Sequence, residues 1–167
     1  MKWSEVLSEW ESGNYPKIPK TIKSPYFWRT SVQSNKNDLI YKEEFIEDER
    51  LLNAKEDFKP FLEHLDKNKD EKYVISFPNL SGDTILVVPI PRKSKRFTNM
   101  FYFMTNASEI QKKELWKKVA EQAKIFLKTN ENIWISTHGL GVNYLHVRIC
   151  NTPKYYENSK LKKIIYR

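Results

Sequence analysis

Trp3, Val6, Leu7 and Trp10 recur at the three- and four-residue spacing of one helical face, and Gly13 and Pro16 interrupt the pattern. The chain is therefore predicted to open with a short amphipathic helix that docks against the rest of the fold. The Pro- and Lys-rich stretch from Asn14 to Ser24 reads as a connecting loop, and Pro25-Tyr26-Phe27-Trp28 as a strand entering the core. Residues 42–66 read as a mixed helical stretch in which Phe58, Phe61, Leu62 and Leu65 share a face, with His64 a surface residue among them. A period of two follows. Tyr73-Val74-Ile75-Ser76-Phe77 and Thr84 to Ile90 are apolar, β-branched runs separated by turn residues 78–83, which predicts two neighbouring antiparallel strands. Pro89 and Pro91 cannot donate to a ladder and should end pairing there.

Beyond the basic loop Arg92-Lys93-Ser94-Lys95-Arg96, residues 99–106 predict a short helix. Ser108 and Gln111 then form a capping-box signature for a longer one whose buried stripe is Trp116, Val119, Ala120, Ala123, Phe126 and Leu127. Ile133 to Thr137 and Asn143 to Cys150 predict two more strands around His138-Gly139-Leu140-Gly141, and a polar, Tyr-rich tail completes the chain. Strand, strand, helix, strand, strand predicts an α+β fold: a largely antiparallel sheet covered by helices, with a helical and extended N-terminal extension. Residues 1–71 are assigned to that extension, packed on the core rather than forming an independent domain, and residues 72–167 to the core and tail.

Composition narrows the classes. A chain of 167 residues, 40% hydrophobic, suits one core. A single cysteine, Cys150, rules out an intramolecular disulfide, and no apolar run approaches the roughly 20 residues of a membrane span. The N-terminus has no apolar stretch of the kind a signal peptide needs, so a cytoplasmic location is expected, without membrane contact. The net charge of +8 is spread along the chain and makes polyanions the natural partners, although a merely solvated Lys-rich surface has the same composition.

Candidate chemistry converges on one strand. Only four glycines occur, and Gly139 and Gly141 shortly precede His146. On an extended strand Tyr144, His146 and Arg148 project to one face and Leu145, Val147 and Ile149 to the other. The apolar set should face the core, leaving the polar set outward or in a cleft. An imidazole can attack phosphorus or carry protons, and a guanidinium beside it can hold a phosphate bidentately. His146 is thus the candidate nucleophile, with Arg148, Tyr144, Asn143, Arg92 and Lys93 as phosphate-binding candidates. The bland alternatives are a strand histidine held structurally and an Arg148 ion pair with Asp83. Cys150 reads as a small buried hydrophobe. No cofactor motif is present, and metal-ligand spacings are absent apart from His146 with Cys150.

The stretch from His138 to Ile149 resembles the signature of the histidine-triad (HIT) nucleotide hydrolases and transferases, in which a glycine turn leads into a strand of three alternating histidines. The similarity in order and spacing covers about residues 72–150. It implies a HIT-like core, with His146 at the nucleophile position and a covalent nucleotidyl-histidine intermediate. The flanking histidines are replaced by Tyr144 and Arg148, so the resemblance implies binding of a nucleotide or other phosphorylated ligand as readily as turnover. HIT proteins are often dimers, which keeps a homodimer open. The chain also resembles an uncharacterised domain family of large DNA viruses and scattered cellular genomes at Phe77 to Asp83, Leu86 to Pro89, Ser136-Thr137, Gly139 to Val142, Leu145 to Arg148 and Pro153 to Tyr156. That resemblance implies an intracellular protein, in the host cytoplasm or virion where viral. The competing class is a non-catalytic viral interaction protein that binds nucleic acid or a host protein through its basic surface. The Lys154-Tyr155-Tyr156 segment could serve it by stacking bases, or could pin the tail to the sheet.

Overall fold

The computed structural model describes residues 3–17, 62–79, 83–91, 97–130, 133–137 and 144–151 in full, and the backbone of 28–29, 33–35, 38–40, 43–47, 59–61 and 162–166. In chain order the elements are α1 (Trp3–Glu11), β1 (Trp28–Arg29), β2 (Gln33–Asn35), β3 (Asp38–Ile40), β4 (Glu43–Glu47), α2 (Lys59–Lys67), β5 (Val74–Pro78), β6 (Thr84–Pro89), α3 (Met100–Asn106), α4 (Glu109–Leu127), β7 (Trp134–Thr137), β8 (Val147–Cys150) and β9 (Lys162–Tyr166). The central sheet has the order β5-β6-β8-β7, antiparallel throughout, which makes the fold α+β. A three-stranded sheet β1-β4-β9 and a two-stranded pair β2-β3 accompany it.

The α4 stripe of Leu115, Trp116, Val119, Ala120 and Ala123 is buried against Val87, Ile135, Val147 and Ile149 of the central sheet, with Phe126 and Leu127 packed partly against the same core. Trp3, Val6, Leu7 and Trp10 of α1 belong to that core too, and the Trp10 ring meets Trp116 edge-on at 5.0 Å. Lys124 on α4 pairs with Glu11 on α1 at 2.6 Å. Helix α1 ends in a Schellman motif: Gly13, at φ +96°, donates its N–H to the Trp10 carbonyl, and Asn14 donates to Glu9. Tyr15 then turns in, and its hydroxyl donates to Glu109 Oε2 at 2.7 Å at the start of α4.

The Ser108 cap forms only half of the expected box. Ser108 Oγ accepts from the Gln111 N–H at 3.2 Å, but the Gln111 side chain does not reach back to the cap. Its Nε2 donates instead to the carbonyls of Tyr73 (3.1 Å) and Ile90 (2.8 Å), joining the β5 and β6 ends to α4. The Gln111 side chain is fully buried, so its amide nitrogen satisfies itself on these two carbonyls.

Three expectations are corrected. The stretch 42–66 is not helical at its start: Glu43–Glu47 is a strand, paired from Glu43↔Tyr166 to Glu47↔Lys162 with the C-terminal strand β9. The end of the tail is therefore part of a sheet. On α2, Leu65 packs inward, but Leu62 is 48% exposed. The last predicted strand begins at Val147, four residues later than Asn143. The register that sets Thr84 opposite Cys150 and Val87 opposite Val147 carries Leu145 opposite Pro89. Pro89 has no N–H to offer. Leu145 turns its own N–H to the Phe97 carbonyl at 2.8 Å, and the ladder stops. Of the predicted strand Pro25 to Trp28, residues 25–27 lie outside the described residues.

Candidate functional site

Alternation along β5, β6 and β8 divides the central sheet into two faces. Val87, Val147 and Ile149 point to α4, whereas Ile75, Phe77, Leu86, Val88 and Tyr144 form a second, smaller apolar cluster on the opposite face. Helix α2 lies against this cluster through Leu65 and through His64, whose ring stacks on Phe77 at 3.9 Å and 8° between planes. His64 is thus half-buried on a ring, not a bare surface residue.

Leu145, Val147 and Ile149 sit in the main core, whereas Tyr144 and, by its register with Leu86, Arg148 belong to the other face, as the alternation predicts, although β8 itself begins only at Val147. Burial differs from the expectation of an outward or open set. Tyr144 and His146 are each 1% exposed, and Arg148 is half-buried. Alternation tells which side a residue takes, but not whether that side is covered; here the second face carries its own apolar cluster. In register Arg148 stands between Leu86 on β6 and Ser136 on β7.

Two hydrogen bonds organise this segment. The Tyr144 hydroxyl donates to the Pro89 carbonyl at 2.9 Å. That carbonyl belongs to the residue at which the ladder fails. His146 Nδ1 lies 2.8 Å from the Tyr144 carbonyl. A carbonyl oxygen only accepts, so Nδ1 carries the proton in this contact. The contact orients the imidazole two residues before the Arg148 guanidinium. A guanidinium can hold a phosphate through charge-assisted hydrogen bonds, and an imidazole near it can carry protons.

Asn143, Arg92 and Lys93 lie outside the described residues, as do His138 and the Lys154-Tyr155-Tyr156 segment. Cys150 is buried, and its Sγ lies 3.8 Å from the Trp134 carbonyl. Among the described residues no three His, Cys, Asp or Glu side chains gather where they could hold a metal ion. No helix among them is long and apolar enough to cross a membrane. Two features escaped the sequence reading: the His64–Phe77 stack and the Gln111 bridge. The first needs the position of α2 over the sheet. The second had a partial signal in a buried-stripe position, Gln111, occupied by an amide.

These features define an α+β domain with an imidazole and a guanidinium on the sheet face turned away from its main helix. The chain belongs to a family of unknown function, DUF6940, whose model matches residues 2–162 and so takes in α1 together with the central sheet. No curated protein and no solved structure matches it.

Proposed function

We propose that the chain binds a nucleotide or another phosphorylated small molecule on the sheet face that carries His146 and Arg148. The observation that supports this reading is the place of Arg148, half-buried and in register with Leu86 on the sheet face away from α4, two residues after His146. The HIT-like stretch from His138 to Ile149 and the net charge of +8 favour the same ligand class. In this reading Arg148 holds the phosphate and His146 Nε2 meets the phosphorus or one of its oxygens. Arg92, Lys93 and Asn143 are proposed to assist from the neighbouring loops. With no second and third histidine, binding without turnover is the primary activity. Nucleotidyl hydrolysis or transfer through His146 is the extension to test once a ligand is found. A protein handling such ligands would work in the cytoplasm.

A thermal-shift screen against mononucleotides, dinucleoside polyphosphates, cyclic nucleotides and short oligonucleotides tests the proposal. A ligand that binds only the native state must stabilise it. We expect stabilisation by at least one phosphorylated small molecule, reduced in Arg148→Ala. Stabilisation by oligonucleotides alone, falling steeply with added salt, would instead mark a polyanion-binding surface.

A further inference from the structure

Strand β5 ends the order β5-β6-β8-β7, so one of its edges has no partner strand among the described residues. Hydrogen bonds at the two ends of the β5–β6 pair tell which backbone groups that edge presents. Ile90 donates its N–H to the Tyr73 carbonyl and Asn79 to the Thr84 carbonyl, both at 2.9 Å, so residues 73, 75, 77 and 79 bond towards β6. Bonding direction alternates along each strand of an antiparallel ladder. Val74 and Ser76 therefore turn their N–H and C=O away from β6, and Pro78 its carbonyl. Ser76 is half-buried and Pro78 exposed. Val74 sends its side chain into the main core and borders a cleft of about 400 Å³ between this edge and α4. In that cleft Lys118 pairs with Glu121 at 3.9 Å. The other charges lining it are the carboxylates of Asp70, Glu71 and Glu114 against the ammonium groups of Lys72 and Lys117, which leaves one negative charge in excess on a chain of net charge +8. Glu114 is half-buried, and no ion pair to it occurs among the described residues.

We propose that β5 takes an extended peptide segment of a partner protein as a further strand, with a lysine or arginine of that segment lying in the cleft against Glu114. A row of alternating backbone donors and acceptors is matched by another extended backbone, which supplies affinity through main-chain bonds and specificity through alternate side chains. Side chains opposite Val74 and Ser76 would share the face of Val74, the α4 side, and so enter the cleft. The negative excess there favours a basic side chain and repels an acidic one. A second copy of this chain suits the edge less well. Strand pairing about a two-fold axis would set one negative cleft beside another, and Pro78, with no N–H to give, keeps the register short. The surface is separate from the phosphate site, because Arg148 lies two strands away on β8 and on the opposite face of the sheet.

A phage-display selection of random dodecapeptides on the wild-type chain, followed by anisotropy titrations of the retained peptides, tests this. We expect peptides of alternating β-branched residues that carry a lysine or arginine. N-methylation at successive peptide residues should alternate between harmless and disruptive, by about tenfold, because only every second N–H faces β5. Ser76→Pro changes an N–H that does not serve the β6 ladder, so it should keep the circular dichroism spectrum and weaken binding by about tenfold or more. Glu114→Gln should weaken basic peptides about two- to fivefold and leave peptides with a neutral residue at that place unchanged. If Ser76→Pro unfolds, the N-methyl series decides alone. No retained peptide, an even response to N-methylation, equal binding by a folded Ser76→Pro, or a preference for acidic peptides overturns the proposal and leaves the phosphate site standing. A wild-type dimer in light scattering that Ser76→Pro dissociates also overturns it, since a second copy then holds the edge.

Discussion

The Tyr144 hydroxyl donates to the Pro89 carbonyl at 2.9 Å, and the Tyr144 carbonyl in turn lies 2.8 Å from His146 Nδ1. A side chain anchored at the point where the β6–β8 ladder stops thus holds the backbone atom that orients the imidazole. Tyr144→Phe removes the hydroxyl and leaves a buried carbonyl short of a donor. The expected cost is about 1–3 kcal/mol of stability, read from a denaturant midpoint at unchanged slope. A variant as stable as wild type would mean that Pro89 finds another partner.

Gln111 bridges two carbonyls with one amide nitrogen and is fully buried. Gln111→Glu keeps the shape but turns the donor into a carboxylate facing two carbonyl oxygens, in a site that water does not reach. This change should destabilise the fold by more than Gln111→Leu does, because the leucine loses the bonds without burying a charge. Urea titrations of both variants rank them, and equal stability would contradict the bridge.

Thr137 Oγ1 is buried and has no hydrogen-bond partner among the described residues. Valine has the same shape without the hydroxyl. Thr137→Val is therefore expected to leave stability unchanged or raise it by about 1 kcal/mol, since the desolvated hydroxyl gains nothing in the folded state. A loss of more than about 1 kcal/mol would assign the hydroxyl a partner.

Tyr15 and Glu109 couple stability to pH in both directions. Burial, and then the hydrogen bond and charge of Glu109, push the Tyr15 hydroxyl up to about 12. The hydrogen bond from Tyr15, and then the bond and charge of Lys112, hold the exposed Glu109 carboxyl below the usual carboxylate range. A raised folded value stabilises below the ordinary tyrosine pKa near 10 and is lost as pH rises through about 12. A lowered carboxyl stabilises above the ordinary carboxylate range and is lost as pH falls through the folded value. Melting temperatures should accordingly fall at both extremes, and Tyr15→Phe should flatten the alkaline limb and weaken the acid one. Identical pH profiles for the two proteins would remove this link between the segment after α1 and the start of α4.

The elements that could be read from residue order alone are those whose pattern is local. The α4 stripe and the β5–β6 pair carry their own periodicity, and α1 shows its buried face in four residues. Strand β4 shows no such pattern. Glu43-Glu44-Phe45-Ile46-Glu47 suits a helix as well as a strand, and what decides is a partner more than a hundred residues away in β9. At the site, alternation correctly separated Tyr144 and Arg148 from Leu145, Val147 and Ile149. Their burial was not legible, because it depends on the small apolar cluster and on α2 packing over the second face. Pro89 was legible as a terminator, but not as the acceptor that anchors Tyr144.

His146 is proposed to donate from Nδ1 to the Tyr144 carbonyl and to lie at the site of a phosphorylated ligand. Long-range proton–nitrogen NMR of the imidazoles tests it most directly, with only three histidines in the chain and His146→Asn to assign the signal. The asparagine amide can still donate to the Tyr144 carbonyl, so the variant should stay folded. We expect an Nδ1–H tautomer for His146 in the free protein and a shift of the Nε2 resonance when a nucleotide is added. An Nε2–H tautomer, or an Nε2 signal untouched by a nucleotide that demonstrably binds, would contradict it.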